Sequence, residues 1–214
     1  VARSRNRGLQ TAQYSHVLFL DQDDRLMPDY WRAVSSHLKH YDLILSNGFL
    51  RYYYSKAKTL IYYIPPKLNL LTLIRDDHLR TPGQIVVRRR LLLPIGFPVP
   101  RRYAGADDRY LWLRLFRDYP NIRTLYLNQA HLEVNVDQYN FSHNIAVMYR
   151  SCLDYWEDFG NETFAPEHAS SIRNDITRLK GQFAKALGQK RTFKQTWLFW
   201  RYKLTINKII RYLV

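Results

Sequence analysis

The chain has 214 residues, 46% of them hydrophobic, which suffices for one cored domain and excludes wholesale disorder. A formal charge of +15, from 33 basic and 18 acidic residues, points to anionic partners without choosing among nucleic acid, acidic lipid and a nucleotide diphosphate. The lone cysteine, Cys152, excludes an intrachain disulfide and a cysteine-cluster zinc site, agrees with a reducing compartment and reads most simply as a buried thiol.

No run of about 18 apolar residues is present to span a bilayer. The opening stretch, Val1 to Arg7, is too polar for a signal peptide and has no initiator Met, so the chain is expected to be cut from something longer. Residues 4–14 read as a helix capped by Ser4, with Leu9 and Ala12 on one face. Val17 to Leu20 is a short continuous apolar run, the mark of a strand covered on both faces. It stops at Asp21-Gln22-Asp23-Asp24, the place where open α/β sheets bind ligands. Pro28 opens a helix over 28–40 with Trp31, Val34 and Leu38 inward. Residues 43–45 form a second buried strand, 49–64 alternate weakly, and 65–82 read as a long loop after Pro65-Pro66. Further strands are expected at 84–87 and 124–127, with a helix from Asp107 to Phe116 between them, its Leu111, Leu115 and Trp112 on one side. After about residue 140 only helices are expected, over 141–159, 165–187 and 190–214.

Two groups of aspartates carry chemistry. Two carboxylates spaced Asp-x-Asp at a strand end, Asp21 and Asp23, can hold a hard divalent cation such as Mg²⁺ or Mn²⁺ against a diphosphate. The same acids can equally cap the next helix or fill a polar turn. Asp107 and Asp108 open a helix, where the macrodipole favours acids whatever their role.

The stretch Arg5-Asn6-Arg7-Gly8, the strand Val17 to Leu20, Asp21-Gln22-Asp23-Asp24 and Pro28 together resemble glycosyltransferase family 2 around its Asp-x-Asp motif. The family's motif usually has serine where Gln22 stands. Gly105-Ala106-Asp107-Asp108 followed by Leu111-Trp112-Leu113-Arg114 is similar to the family's acidic pair, with Asp107 in place of the usual Glu. Thr81 to Arg89 and Ile95-Gly96-Phe97 look like its acceptor-side strand and the turn after it. The resemblance covers roughly residues 1–145 and only the latter part of the usual catalytic domain, whose nucleotide-holding first half has no counterpart here.

The resemblance implies an α/β fold of the GT-A type, lacking its first strands, over 1–145, with a helical extension over 146–214. It implies an inverting, metal-dependent sugar transfer from a nucleotide-sugar to a glycan or lipid-linked acceptor in surface polysaccharide synthesis. Asp108 would be the base with Asp107 beside it. Arg5, Asn6, Asp21 and Asp23 would bind the donor, and Gly83, Gln84 and Trp112 the acceptor. Asp21, Asp23 and His131 would hold Mg²⁺ or Mn²⁺, with His143 as the other candidate ligand. The location implied is cytoplasmic, at the inner face of the cell membrane. The alternative is a catalytically inactive remnant serving as a membrane-docked interaction module.

From Lys190 to Val214 there are seven basic residues, no acid, and Phe193, Trp197, Trp200 and Leu204 at helical spacing. That is the composition of an interfacial helix, and peripheral membrane contact is expected there. Packing of the same helix on its own chain is the plain alternative. No nucleic-acid motif accompanies the basic residues.

Overall fold

The computed structural model describes residues 1–52, 59–62, 68–75, 79, 81–99, 105–137, 144–159, 162 and 164–201. Pro65-Pro66, His143 and the tail beyond residue 201 lie outside the described residues.

Helix α1 (Ala2–Thr11) leads into β1 (His16–Leu18), β2 (Arg25–Leu26), α2 (Tyr30–Ser35) and the long β3 (Leu43–Tyr52). Then come β4 (Thr59–Tyr62), α3 (Leu70–Arg75), a single 3₁₀ turn (Pro82–Gln84), β5 (Ile85–Arg88) and α4 (Arg89–Leu92). Helix α5 (Asp107–Asp118), β6 (Thr124–Val136), α6 (Ile145–Asp158) and α7 (Pro166–Ala186) follow. A last helix, α8, occupies 193–201.

The strands form one six-stranded sheet ordered β1-β5-β3-β6-β2, with β4 taking over from β5 along the second half of β3. Strands β3 and β6 pair in parallel, and every other described pairing is antiparallel. The sheet is therefore mixed. Register between β3 and β6 shifts at Ser46, Asn47 and Gly48, where Asn47 turns its amide to the Tyr126 hydroxyl at 2.8 Å and the Asn128 carbonyl at 3.1 Å.

Period-two alternation divides the core between the two faces. Leu43, Leu45, Ile85 and Val87 point to the larger cluster beneath α1, α3, α5, α6 and α7. Ile44 and Val86 point to a smaller one that Tyr30 and Val34 of α2 complete. The larger cluster runs without a break from Leu43 to Trp156 and Leu179, so α6 and α7 share the core of the sheet.

Three details depart from the sequence pattern. In α2 the inward residues are Tyr30 and Val34, and Trp31 is 66% exposed. Residues 65–82 hold a helix, α3, whose Leu70, Leu73 and Ile74 are buried. Strand β6 continues nine residues past Leu127, which puts His131 inside a strand and not after one.

Candidate functional site

Strand β1 delivers the chain to Asp21 at the edge of the sheet, and Asp21 remains half exposed while Asp23 is exposed. Asp24 accepts a hydrogen bond from the Thr81 hydroxyl at 3.1 Å, and the Asn135 side chain donates to the Asp23 carbonyl. Burial lifts the Asp24 carboxyl to about 6, with the neighbouring Asp21 and Asp23 charges adding to the rise and the Thr81 bond opposing it.

The second acidic pair is aimed by an unusual turn. Ala106, the residue before α5, has φ 54°, the left-handed conformation that an alanine adopts only under constraint, and Gly105 before it has φ 125°. This turn sets Asp107 and Asp108 at the helix start. Asp107 is buried, and Asp108 accepts from the Arg109 backbone N–H at 2.8 Å.

Arg5 joins the two groups. One arm of its guanidinium donates to Asp107 at 3.1 Å and the other to Asp21. Asp21 and Asp107, 86 residues apart in the chain, thus face each other across one cation. Burial opposes the Arg5 charge, but Asp107, Asp21 and Asp108 outweigh it, and the guanidinium is held above its ordinary pKa. The Arg5 plane also lies 5.4 Å from the Phe97 ring.

Asn6, expected at the donor, is occupied with the backbone. Its Oδ1 accepts from Phe97 N at 2.6 Å and its Nδ2 donates to Phe97 O at 2.8 Å. Gly96 stands at φ +63°, and a Cβ there would come 3.2 Å from Asn6 Oδ1. Asn6 therefore locks α1 to the turn after α4, which holds Arg5 in place.

The expected acceptor residues are all buried. Gly83 packs against Leu132, whose methyl carbons would stand 3.2 and 3.3 Å from an added Cβ. Gln84 Oε1 accepts from the Thr81 N–H at 3.3 Å, closing the turn before β5. Trp112 is 1% exposed inside the larger cluster, so its ring packs in the core.

His131 also departs from expectation. It is buried beneath Asp29, with Nδ1 3.3 Å from Asp29 Oδ1, and its ring meets Tyr30 edge to face. The trio Asp21, Asp23 and His131 does not come together, and no group of three or more His, Cys, Asp or Glu gathers among the described residues. What the site offers a metal is the pair Asp21 and Asp23, two accessible hard-oxygen donors. One or two carboxylates completed by substrate phosphates suit Mg²⁺, so Asp21 and Asp23 fit such an ion, with Arg5 competing for one oxygen of Asp21.

Sequence reading did not foresee Thr81 as the partner of Asp24, although the Thr81-Pro82-Gly83-Gln84 pattern marks a capped turn. Nor did it foresee Tyr155, buried in α6, whose hydroxyl donates to Pro98 O at 3.2 Å. Burial, and then the Asp107 and Asp108 charges, push that hydroxyl well above its ordinary pKa, which places Tyr155 beside the acidic pair.

The fold is a mixed α/β sheet with helices on both faces and, at one edge, two acidic groups bridged by Arg5. It is similar to the crystal structure of Staphylococcus aureus TarS residues 1–349 in complex with UDP-GlcNAc, with TM-score 0.57 and 14% identity over 98% of this chain and 62% of that one. The same TarS fragment in complex with UDP gives TM-score 0.47 and 15% identity over 97% and 68% of the two chains. A further crystal structure of TarS 1–349 gives 0.46 and 16% over 86% and 60%, so this chain spans about three fifths of the length of that fragment. No protein-family model and no curated protein sequence matches the chain.

Proposed function

We propose that this chain carries the metal and acceptor side of an inverting, nucleotide-sugar-dependent glycosyltransferase of family 2 and GT-A type. The observation that supports it most is Arg5 bridging Asp21 and Asp107, which brings the two acidic groups together. The fold likeness to TarS, solved in complex with UDP-GlcNAc, agrees with a nucleotide-sugar as donor.

In this reading Asp108 takes the proton of the acceptor hydroxyl. The hydroxyl oxygen forms its bond to the anomeric carbon as the bond from that carbon to the diphosphate oxygen breaks on the opposite face, and the nucleoside diphosphate leaves. Mg²⁺ or Mn²⁺ held by Asp21 and Asp23 would offset the charge on the departing diphosphate. Arg5 positions Asp21 and Asp107, Asn6 fixes Arg5 through α1, and Asp107 fixes the first turn of α5. The acceptor is a glycan or a lipid-linked glycan of a cell-surface polysaccharide, and the enzyme works on the cytoplasmic side.

The test is release of nucleoside diphosphate from a panel of nucleotide-sugars by the full-length protein with Mn²⁺. Metal-dependent release is expected, and Asp108→Asn should lower it by about 100-fold or more while nucleotide affinity is kept. Release that Asp108→Asn leaves unchanged would remove Asp108 as the base. Nucleotide binding with no release for any donor would favour the inactive module.

A further inference from the structure

Helix α8 places Phe193, Trp197 and Trp200 at 88%, 53% and 54% exposure. At about 100° per residue the three rings fall within about 60° of one another on the helix wheel. The opposite side is turned to the protein. Leu198 is buried, and Gln195 packs so closely on α7 that a Cβ on Gly181 would come 2.6 Å from its own. The helix is thus anchored by one face and shows three large aromatic rings on the other, a patch that a freely soluble surface rarely keeps.

Charge selects the occupant. Lys194 and Arg201 edge the aromatic face, Lys190 and Arg191 precede it, and no acid occurs from Lys190 to the chain end. We infer that the outer face of α8 docks on an anionic lipid bilayer, with the rings at head-group depth and the basic side chains on lipid phosphates. A second copy is disfavoured because each chain carries +15. Nucleic acid is disfavoured because no nucleic-acid motif accompanies the basic residues. Among the described residues no helix is long and apolar enough to cross a membrane, so the contact lies in the plane of the surface. The inference is independent of the sugar-transfer reading.

The experiment is flotation of the full-length protein with phosphatidylcholine vesicles, with and without phosphatidylglycerol, alongside tryptophan emission. Binding and a blue shift are expected with the anionic vesicles. The double variant Trp197→Ser/Trp200→Ser should bind them about 10-fold more weakly or worse, and Lys194→Glu/Arg201→Glu about 30-fold more weakly at low salt. Both variants keep the wild-type melting temperature, since the substituted side chains face outward. Equal binding by wild type and both variants would overturn the inference. So would a concentration-dependent dimer that Trp197→Ser/Trp200→Ser dissolves, or an oligonucleotide that displaces the protein from vesicles.

Discussion

Arg5 is the residue on which the site's geometry turns. Its side chain is mostly buried between two carboxylates, and removing it leaves Asp21 and Asp107 facing each other with no cation between them. Arg5→Ala should cost about 1–2 kcal/mol, discounted because Asp21 is partly in water. Millimolar Mn²⁺ should recover part of that loss by supplying the missing positive charge. Thermal melts of both proteins with and without the ion check this, and a variant as stable as wild type would mean that the bridge carries no weight. Ala106 makes the complementary case. Its left-handed backbone costs an alanine about 1 kcal/mol that glycine does not incur, so Ala106→Gly should raise stability by a few tenths to about 1 kcal/mol in a denaturant titration. A loss would show that its buried methyl group matters more than its backbone. Of these residue features, the two Asp groups and Arg5 were legible as chemistry-bearing types in motif spacing. The bridging was not, because the salt bridge from Arg5 to Asp107, 102 residues along the chain, depends on how α1 packs on the core. Asn6 lay in the same motif and a turn at Gly96 was expected, yet no local pattern says that the two meet.

At the scale of elements, α5, α6 and α7 are pinned by one buried carboxylate. Asp175 accepts from Arg109 at 2.8 Å and Trp156 at 2.9 Å on one oxygen and from Arg178 Nε at 3.2 Å on the other. Burial alone would raise its pKa, but Arg109 and Arg178 outweigh burial and hold it below the ordinary range. Because the folded value is the lower one, the stabilisation is complete above the unfolded value of about 4 and fades as pH falls through the folded value. Asp175→Asn leaves two arginines buried against a neutral group and should cost about 3–5 kcal/mol at pH 7. It should also flatten the acid limb of the stability profile, and an unchanged limb would put the acid sensitivity elsewhere. The sequence marked these helices by their apolar period but could not show that Asp175 lies inside, since an acid on a helix is ordinarily a solvent-facing residue. The first strand teaches the converse. Its unbroken apolar run predicts cover on both faces, and Val17 and Leu18 do pack against the larger and smaller clusters. Yet β1 ends the strand order, because cover comes from helices above and below, whereas place in the sheet comes from pairing.

For the whole molecule, the apolar periodicity gave most of the strands and helices but not β2, α3 or α4. Direction of pairing was beyond its reach: period-two alternation is the same in parallel and antiparallel sheets, so β5 could run either way beside β3 until the long connections were traced. The boundary expected near residue 145 is likewise crossed by the core, since Trp156 and Leu179 pack in the same cluster as Leu43. The account rests on Asp21 and Asp23 holding a divalent cation against a nucleotide diphosphate at the mouth of the cleft that Asp108 shares. Calorimetric titration of nucleoside diphosphates into the full-length protein, with and without Mn²⁺, measures this most directly for wild type beside Asp23→Ala. The account predicts tight binding only with Mn²⁺ and a loss of at least about 10-fold in the variant, in line with removal of a metal ligand. Equal affinity of the two proteins for every nucleotide, with or without the ion, would contradict it.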